Sequence, residues 1–303
     1  MSWRRYSDWA KERPLTLQLA DFLGRGRGRM RMFDSLYPPR KPRLAPDLQN
    51  WENHKLAAVW IGHASVLLRI DGMSILTDPV MSNRVGIGLG LMTGGPRRYF
   101  GPAISVRELP KLDLILLSHA HFDHLDRPTL AKLNKNVPVI AAHHTGDLVR
   151  DLGFRKVREL RWGESSKLNG MSVKAHEVKH WGARTFYDKY RGFNSYVIEH
   201  RKRRILFGGD TAFGEHFRDV GKVDLAILGI GAYNPYVAAH ATPEQAWEMA
   251  DHVHADFVLP MHHSTFRLSH EPMHEPIQRF LDVPKSQTNR VALSEIGGTW
   301  IGG

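Results

Sequence analysis

Apolar positions in this chain come in short runs bounded by turn residues, a pattern of strands with few long helices. Residues 57–60, 65–70 and 73–76 predict a strand series, with Asp71-Gly72 as a hairpin turn. Leu114-Ile115-Leu116-Leu117 is uninterrupted and predicts a strand buried on both faces. A helix is expected over 128–134, opened by Asp126 and Pro128, then a strand over 137–141 and a short helix over 147–153. Residues 172–178 alternate as a strand does, and 193–198 with 204–207 predict a hairpin turning at Arg201-Lys202-Arg203. Two further apolar runs, 224–230 and 257–261, flank a helix from Pro243 to about His252. That helix opens on a capping box, Thr242-Pro243-Glu244-Gln245. Strand-rich halves with helices between them predict an α/β fold, a four-layered αβ/βα sandwich of two mixed sheets with helices outside.

The buried run 114–117 feeds directly into Ser118-His119-Ala120-His121-Phe122-Asp123-His124-Leu125-Asp126. Chemistry in α/β sheets gathers on loops at the carboxyl ends of strands. His119 and His121 are two apart, so on extended backbone their side chains leave on the same side. Imidazole nitrogen and carboxylate oxygen are the usual ligands of zinc where thiolate is absent. Asp123 and His124 are offset from the first pair and can serve a second metal, giving a two-metal hydrolytic clamp. Other candidates also end predicted strands. Asp78 follows residues 73–76, where a carboxylate can orient a ligand histidine. Asp210 follows two glycines that let backbone approach a crowded centre. His240 stands before the capped helix, where phosphate is favoured. His176 and His180 compete at the end of one strand, and His262 and His263 at the end of another. His143 and His144 read as structural or near the site.

His119-x-His121-x-Asp123-His124 resembles the H-x-H-x-D-H signature of the metallo-β-lactamase superfamily. Trp60-Ile61-Gly62-His63-Ala64-Ser65, Leu76-Thr77-Asp78-Pro79, Gly208-Gly209-Asp210-Thr211 and Ile230-Gly231-Ala232-Tyr233 recur, in this order, in one branch of it. That branch contains the N-acyl-phosphatidylethanolamine-hydrolysing phospholipase D, and the likeness runs from about Trp51 to a helix near Phe280. The resemblance implies the same sandwich fold and two divalent ions, zinc first, with manganese or iron as alternatives. It places His119, His121 and His180 on one ion, and Asp123, His124 and His262 on the other, with Asp210 as the bridge. It further implies a phosphodiesterase acting on a phospholipid-like substrate, with Asp123 orienting the attacking hydroxide and His240 contacting phosphate or protonating the leaving group. A lactonase or sugar-phosphate hydrolase is the alternative within the same chemistry.

Composition narrows the picture in three ways. With 303 residues the chain can bury one sizeable core, expected over residues 51–303. It has no cysteine, which excludes disulfides and thiolate ligands. No apolar run is long enough to span a membrane, and no secretory leader follows Met1, so a cytoplasmic protein is expected. The net charge of +11 favours anionic partners. Within residues 1–50, Arg25, Arg27, Arg29 and Arg31 alternate with glycine, and Leu15, Leu19, Phe22 and Leu23 fit one helix face. This arm is expected either to touch an anionic membrane or to wrap the domain with its arginines solvated. The glycine-rich segment 81–101 is expected as a loop beside the site. There Met92, Tyr99 and Phe100 can meet an acyl chain and Arg97 and Arg98 a phosphate, or the segment is a structural loop with its arginines solvated. A nucleic-acid-binding protein using its basic surface is the reading from another class. No nucleic-acid motif accompanies the charge, and charge alone is non-specific. A metal scaffold without turnover is a third. The sequence leaves the oligomeric state open.

Overall fold

The computed structural model describes residues 38–89, 92–283 and 288–302. The predicted strand series is present as β1 (Leu56–Gly62), β2 (Ser65–Ile70) and β3 (Met73–Thr77). Asp71 and Gly72 have φ of +46° and +91°, as a type I′ hairpin turn demands. Next come β4 (Ile87–Leu89), β5 (Met92–Gly94), β6 (Leu114–Leu117), β7 (Val139–Ala142), β8 (Val157–Leu160), β9 (Ser165–Leu168) and β10 (Met171–His176). The second half contributes β11 (Ser195–His200), β12 (Arg203–Phe207), β13 (Leu225–Gly229), β14 (Phe257–Met261) and β15 (Thr299–Gly302). The helices are α1 (Leu48–Glu52), α2 (Arg127–Leu130), α3 (Asp147–Arg150), α4 (Pro243–His252) and α5 (Glu275–Asp282).

Among the described residues, two large sheets form, ordered β15-β1-β2-β3-β6-β7-β8 and β14-β13-β12-β11-β10-β9. Alternation along each strand decides which face meets which layer. In β1, Ala58 and Trp60 join the core between the sheets, with Val173, Tyr196, Phe207 and Ile227 of the facing sheet. Ala57, Val59 and Ile61 turn outward and pack with Leu125, Leu130 and Val149 under the helices of that side. The outer face of the second sheet, through Leu206, Ala226 and Leu228, packs against Ala246, Trp247 and Ala250 of α4 and Phe280 of α5. These are the four layers expected. In the first sheet β3, β6, β7 and β8 run parallel, and in the second β12, β13 and β14 do so. Their carboxyl ends therefore collect at one rim, where every proposed ligand was expected.

The capping box of α4 forms as expected. Gln245 N donates to Thr242 Oγ1 at 3.3 Å and Thr242 N to Gln245 Oε1 at 3.0 Å, a cap worth about 1 kcal/mol. The helix expected over 128–134 is a single turn, α2. Its continuation tightens into i to i+3 bonds, and Asn134 closes it by accepting from Asn136 N at 3.0 Å. The segment 81–101 holds the small hairpin of β4 and β5, which a glycine-rich sequence without period does not announce. Arg40 pairs with the end of this segment: Arg40 N donates to Tyr99 O, and Gly101 N to Arg40 O. Residues 1–37, with the expected amphipathic and arginine-rich stretch, lie outside the described residues, as does the Met92 side chain. No helix among the described residues is long and apolar enough to cross a membrane.

Candidate metal centre

Two groups of donors meet at the rim. In the first, His119 Nε2 lies 2.8 Å from His121 Nδ1, and His180 Nε2 is 3.2 Å from that same nitrogen. Asp210 Oδ2 stands 3.9 Å from His119 Nε2 and 3.8 Å from His180 Nε2. In the second, the same Asp210 oxygen is 3.1 Å from His124 Nε2 and 3.2 Å from His262 Nε2. Asp123 Oδ2 closes this group at 3.6 Å from His124 Nε2 and 3.3 Å from His262 Nε2. The donors of the first group all fall within 4.8 Å of one another, as do Asp123, His124 and His262 together with His63. Asp210 is therefore common to both, and it reaches that position because Gly209 takes a φ of +56° against Asn194 O.

The electrostatics call for cations. Burial opposes charge on Asp123 and Asp210, yet neighbouring His124 and, for Asp210, His262 hold both carboxyls well below the usual range. Burial likewise opposes a proton on His124 and His262. Asp210 and Asp123 outweigh it, raising His262 to about 9 and His124 well above its ordinary value. The other group stays neutral. Burial, then the surrounding imidazoles, push His119 far down, and burial brings His121 to about 4. Among the described residues, His124 Nε2, His262 Nε2 and Asp210 Oδ1 are buried without a hydrogen-bond partner. Such orphaned polar atoms are rare unless a ligand completes them. The donor set, imidazole and carboxylate without sulfur, fits zinc and other divalent first-row ions.

Supporting contacts orient the donors. Asp78 Oδ2 accepts from His124 Nδ1 at 2.7 Å and from Ser118 Oγ at 2.5 Å, and Ser118 N donates to Asp78 Oδ1 at 2.7 Å. Ala239 O lies 3.0 Å from His180 Nδ1. Each contact leaves the other ring nitrogen facing the centre, the usual arrangement around a metal-binding histidine. His240 stands beside the centre, its Nδ1 3.8 Å from Asp210 Oδ2.

The local ambiguities resolve by position. His176, at the end of β10, belongs to neither donor group, whereas His180 does. His263 turns away from the centre, packing on Trp60 at 4.5 Å, with its Nδ1 2.9 Å from Ser264 Oγ. His143 and His144 gather with Glu159 elsewhere. Arg98 requires a correction. It was expected at a substrate phosphate, but its guanidinium is buried. Nε donates to Ser82 O at 3.0 Å, Nη2 donates to Val80 O, and the group lies over Phe266 at 4.9 Å. It ties the loop after β3 together and does not face solvent. Arg97 is half-buried and bridges to Arg84 through its backbone.

Two residues were given no role by the sequence reading. His63 sits at a φ of +56° after β1, and its Nε2 lies 2.9 Å from Asp123 Oδ2. Burial holds its ring near a pKa of about 3, so the neutral ring donates that hydrogen. Its signal was present in Gly62-His63, a glycine-led turn at a strand end. Arg184 Nη1 donates to Ala120 O at 2.9 Å and Leu125 O at 2.8 Å, spanning the ligand loop, and its guanidinium lies 3.9 Å over Phe122. Nothing in its neighbourhood in the sequence marks it.

Comparison with known proteins follows this geometry. Residues 74–263 match the model of the beta-lactamase superfamily domain. An uncharacterized protein of Mycobacterium tuberculosis is 31% identical over 268 residues, which cover 83% of this chain and 70% of that protein. The N-acyl-phosphatidylethanolamine-hydrolyzing phospholipase D 1 of Caenorhabditis elegans is 32% identical over 232 residues, 70% of this chain and 64% of that enzyme. A solved metallo hydrolase from Ignicoccus hospitalis superposes with a TM-score of 0.59 at 21% identity, covering 80% of this chain and 97% of its own. That likeness concerns the fold. With the family model spanning most of the chain and the rim carrying the donors that such a fold uses, the chain belongs to the metallo-β-lactamase superfamily, as a metal-dependent hydrolase.

Proposed function

We propose that the protein is a binuclear phosphodiesterase of the phospholipase D type, acting on N-acyl-phosphatidylethanolamine-like phospholipids. One observation carries the binuclear part: Asp210 Oδ2 lies within 3.9 Å of donors from both groups. In this reading His119, His121 and His180 hold one zinc, Asp123, His124 and His262 the other, and Asp210 bridges. When bound, the ions supply Lewis acidity, which acidifies water towards neutrality and offsets charge on phosphoryl oxygens. Asp123, steadied by His63, orients the attacking water. The water gives up a proton to solvent, a bond forms from its oxygen to phosphorus, and the bond from phosphorus to the leaving alcohol breaks. His240 delivers a proton to that departing oxygen.

Support for a lipid-like substrate comes from the surface beside the centre. Trp181 stacks on His180 at 4.5 Å and stays exposed, and the loop after it presents Phe186, Tyr187 and Tyr190 to solvent. Aromatic rings of this kind suit apolar chains below a polar head group. The worm relative's name points to the same substrate class. Residues 51–303 then form the catalytic domain, and the basic arm within residues 1–50 contacts anionic lipid.

A substrate panel on metal-loaded protein tests the reading. N-acyl-phosphatidylethanolamine in vesicles, a bis-aryl phosphodiester, a lactone and a sugar phosphate are compared by kcat/KM. The lipid and the aryl diester are expected to turn over. Removal of residues 1–37 is expected to lower the rate on anionic vesicles while sparing the aryl diester. Preference for the lactone would transfer the centre to carbonyl chemistry.

Metal affinity should depend on pH with a definite sign. Without metal, His124 and His262 have raised pKa values, so both carry protons at neutral pH. Binding must displace these protons, and affinity should fall as pH drops from about 9 to 6. Zinc titrations in buffers of different ionisation enthalpy should report net proton release at pH 7. Zinc binding without proton release would contradict the assignment of His124 and His262 as ligands.

A further inference from the structure

Three segments that carry groups of the centre lie side by side at Thr211. One leaves β10 and carries Lys179-His180. Another leaves β12 and carries Asp210-Thr211. The third runs from β13 to α4 and carries Ala239-His240-Ala241. Their backbones are joined there: Ala212 N donates to Lys179 O at 2.9 Å, and Ala241 N to Thr211 O at 2.8 Å. His240 is thereby tied on both sides, because Ala239 O, just before it, lies 3.0 Å from His180 Nδ1.

The Thr211 side chain is buried, and its hydroxyl is fully used. It accepts from Lys179 N at 3.0 Å and donates to Ala212 O at 2.8 Å. With the hydroxyl hydrogen given to Ala212 O, a lone pair is left for His216 Nε2 at 3.2 Å, so that nitrogen carries a hydrogen and donates it. Burial, then Lys179 and His252, hold the His216 ring at about 4, and it is neutral in this contact. His216 belongs to neither donor group. The backbone bonds alone would keep the three segments adjacent. The hydroxyl adds register, fixing the peptide before His180 against the peptide after Asp210. Two spacings depend on that register: His180 Nε2 and His240 Nδ1 each stand 3.8 Å from Asp210 Oδ2. Removing the hydroxyl leaves the Lys179 amide without this acceptor, and an unmade bond at a buried group is costly enough to shift the chain.

We propose that Thr211 is a positioning residue of the centre: its hydroxyl fixes His180, and its carbonyl His240, relative to Asp210. The inference rests on the metal centre and on the acid role of His240 proposed above. Contacts that orient metal ligands are commonly worth about 10–100-fold in affinity or rate.

Thr211→Ala and Thr211→Val remove the hydroxyl, and Thr211→Ser keeps it. Each full-length variant is loaded with cobalt, whose visible spectrum reports the geometry of its ligands, and is compared by elemental analysis and thermal melting. Both variants without the hydroxyl are expected to bind cobalt about 10-fold more weakly and with an altered spectrum, while Thr211→Ser matches the wild type. With an alkyl phosphodiester their kcat should fall about 10–100-fold at nearly constant KM, and with a nitrophenyl diester the fall should be smaller. Either variant that folds decides the matter. An unaltered cobalt spectrum and kcat in a folded variant without the hydroxyl would overturn the proposal. Unfolding of both beside a folded Thr211→Ser would also overturn it, making the hydroxyl a support of the fold. A Thr211→Ser that falls as far as Thr211→Ala would do the same, assigning the effect to packing of the methyl group. His240→Gln, measured in parallel, keeps the two readings apart. If that variant loses nothing, the acid role of His240 fails, and the cobalt spectra still decide for Thr211.

Discussion

Replacing Asp210 with alanine is expected to abolish binding of both metals at ordinary concentrations and to lower kcat/KM by at least about 10³-fold, about 4 kcal/mol at the transition state. The reason is geometric. Asp210 Oδ2 is the atom shared by the two donor groups, 3.1 Å from His124 Nε2 and 3.8 Å from His180 Nε2. It also holds up the charge balance, being foremost among the groups that raise His124 and His262 against their burial. Without it the centre is a buried cluster of imidazoles with Asp123 at one side. Asp210→Asn keeps the shape and removes the charge, so it separates the two contributions. Elemental analysis after dialysis, with kinetics on the same samples, reads the outcome. Retention of both metals and of activity in Asp210→Ala would remove the bridge from the account.

His240→Gln should behave differently. His240 completes neither donor group built on the H-x-H-x-D-H loop, so both metals and the fold should survive. Its ring lies 5.0 Å from His180 and 5.3 Å from His262, and burial holds it at about 4 despite the pull of Asp210. The amino end of α4 acts in the same direction by disfavouring imidazolium. A bound phosphate opposes both effects, so the ring gains its proton when substrate arrives. The expected loss is about 10²–10⁴-fold with an alcohol leaving group, the range for a general acid. With a nitrophenolate leaving group, which departs without a proton, the loss should be much smaller. Equal losses would make His240 a phosphate-positioning group, and no loss would make it a bystander.

The candidate donors at the rim were legible because they follow strands that the apolar pattern marks. Leu114–Leu117 carries His119 to the rim, and Phe257–Met261 carries His262 there. What the pattern could not express was convergence across the two sheets. Nothing local separates His262 from His263. In the structure His262, at a φ of +61°, stands against Asp123 and Asp210, while His263 packs on Trp60. His63 was missed for the same reason, since its partner Asp123 is sixty residues away along the chain. Arg98 was misplaced because an arginine beside a glycine-rich loop reads as solvent-facing, and only the fold reveals the carbonyls of Val80 and Ser82 that enclose it. The strands β8 and β9 went unread because their side chains are largely polar or half exposed. β15 went unread because four residues at the edge of a sheet carry too short a pattern.

Metal stoichiometry is the measurement closest to the centre of this account. Protein stripped with chelator and reloaded with excess zinc, then freed of unbound ions, should hold two equivalents per chain by elemental analysis. Recovery of activity should track occupancy. At most one equivalent under saturating zinc, with full activity, would contradict the binuclear centre built on Asp210.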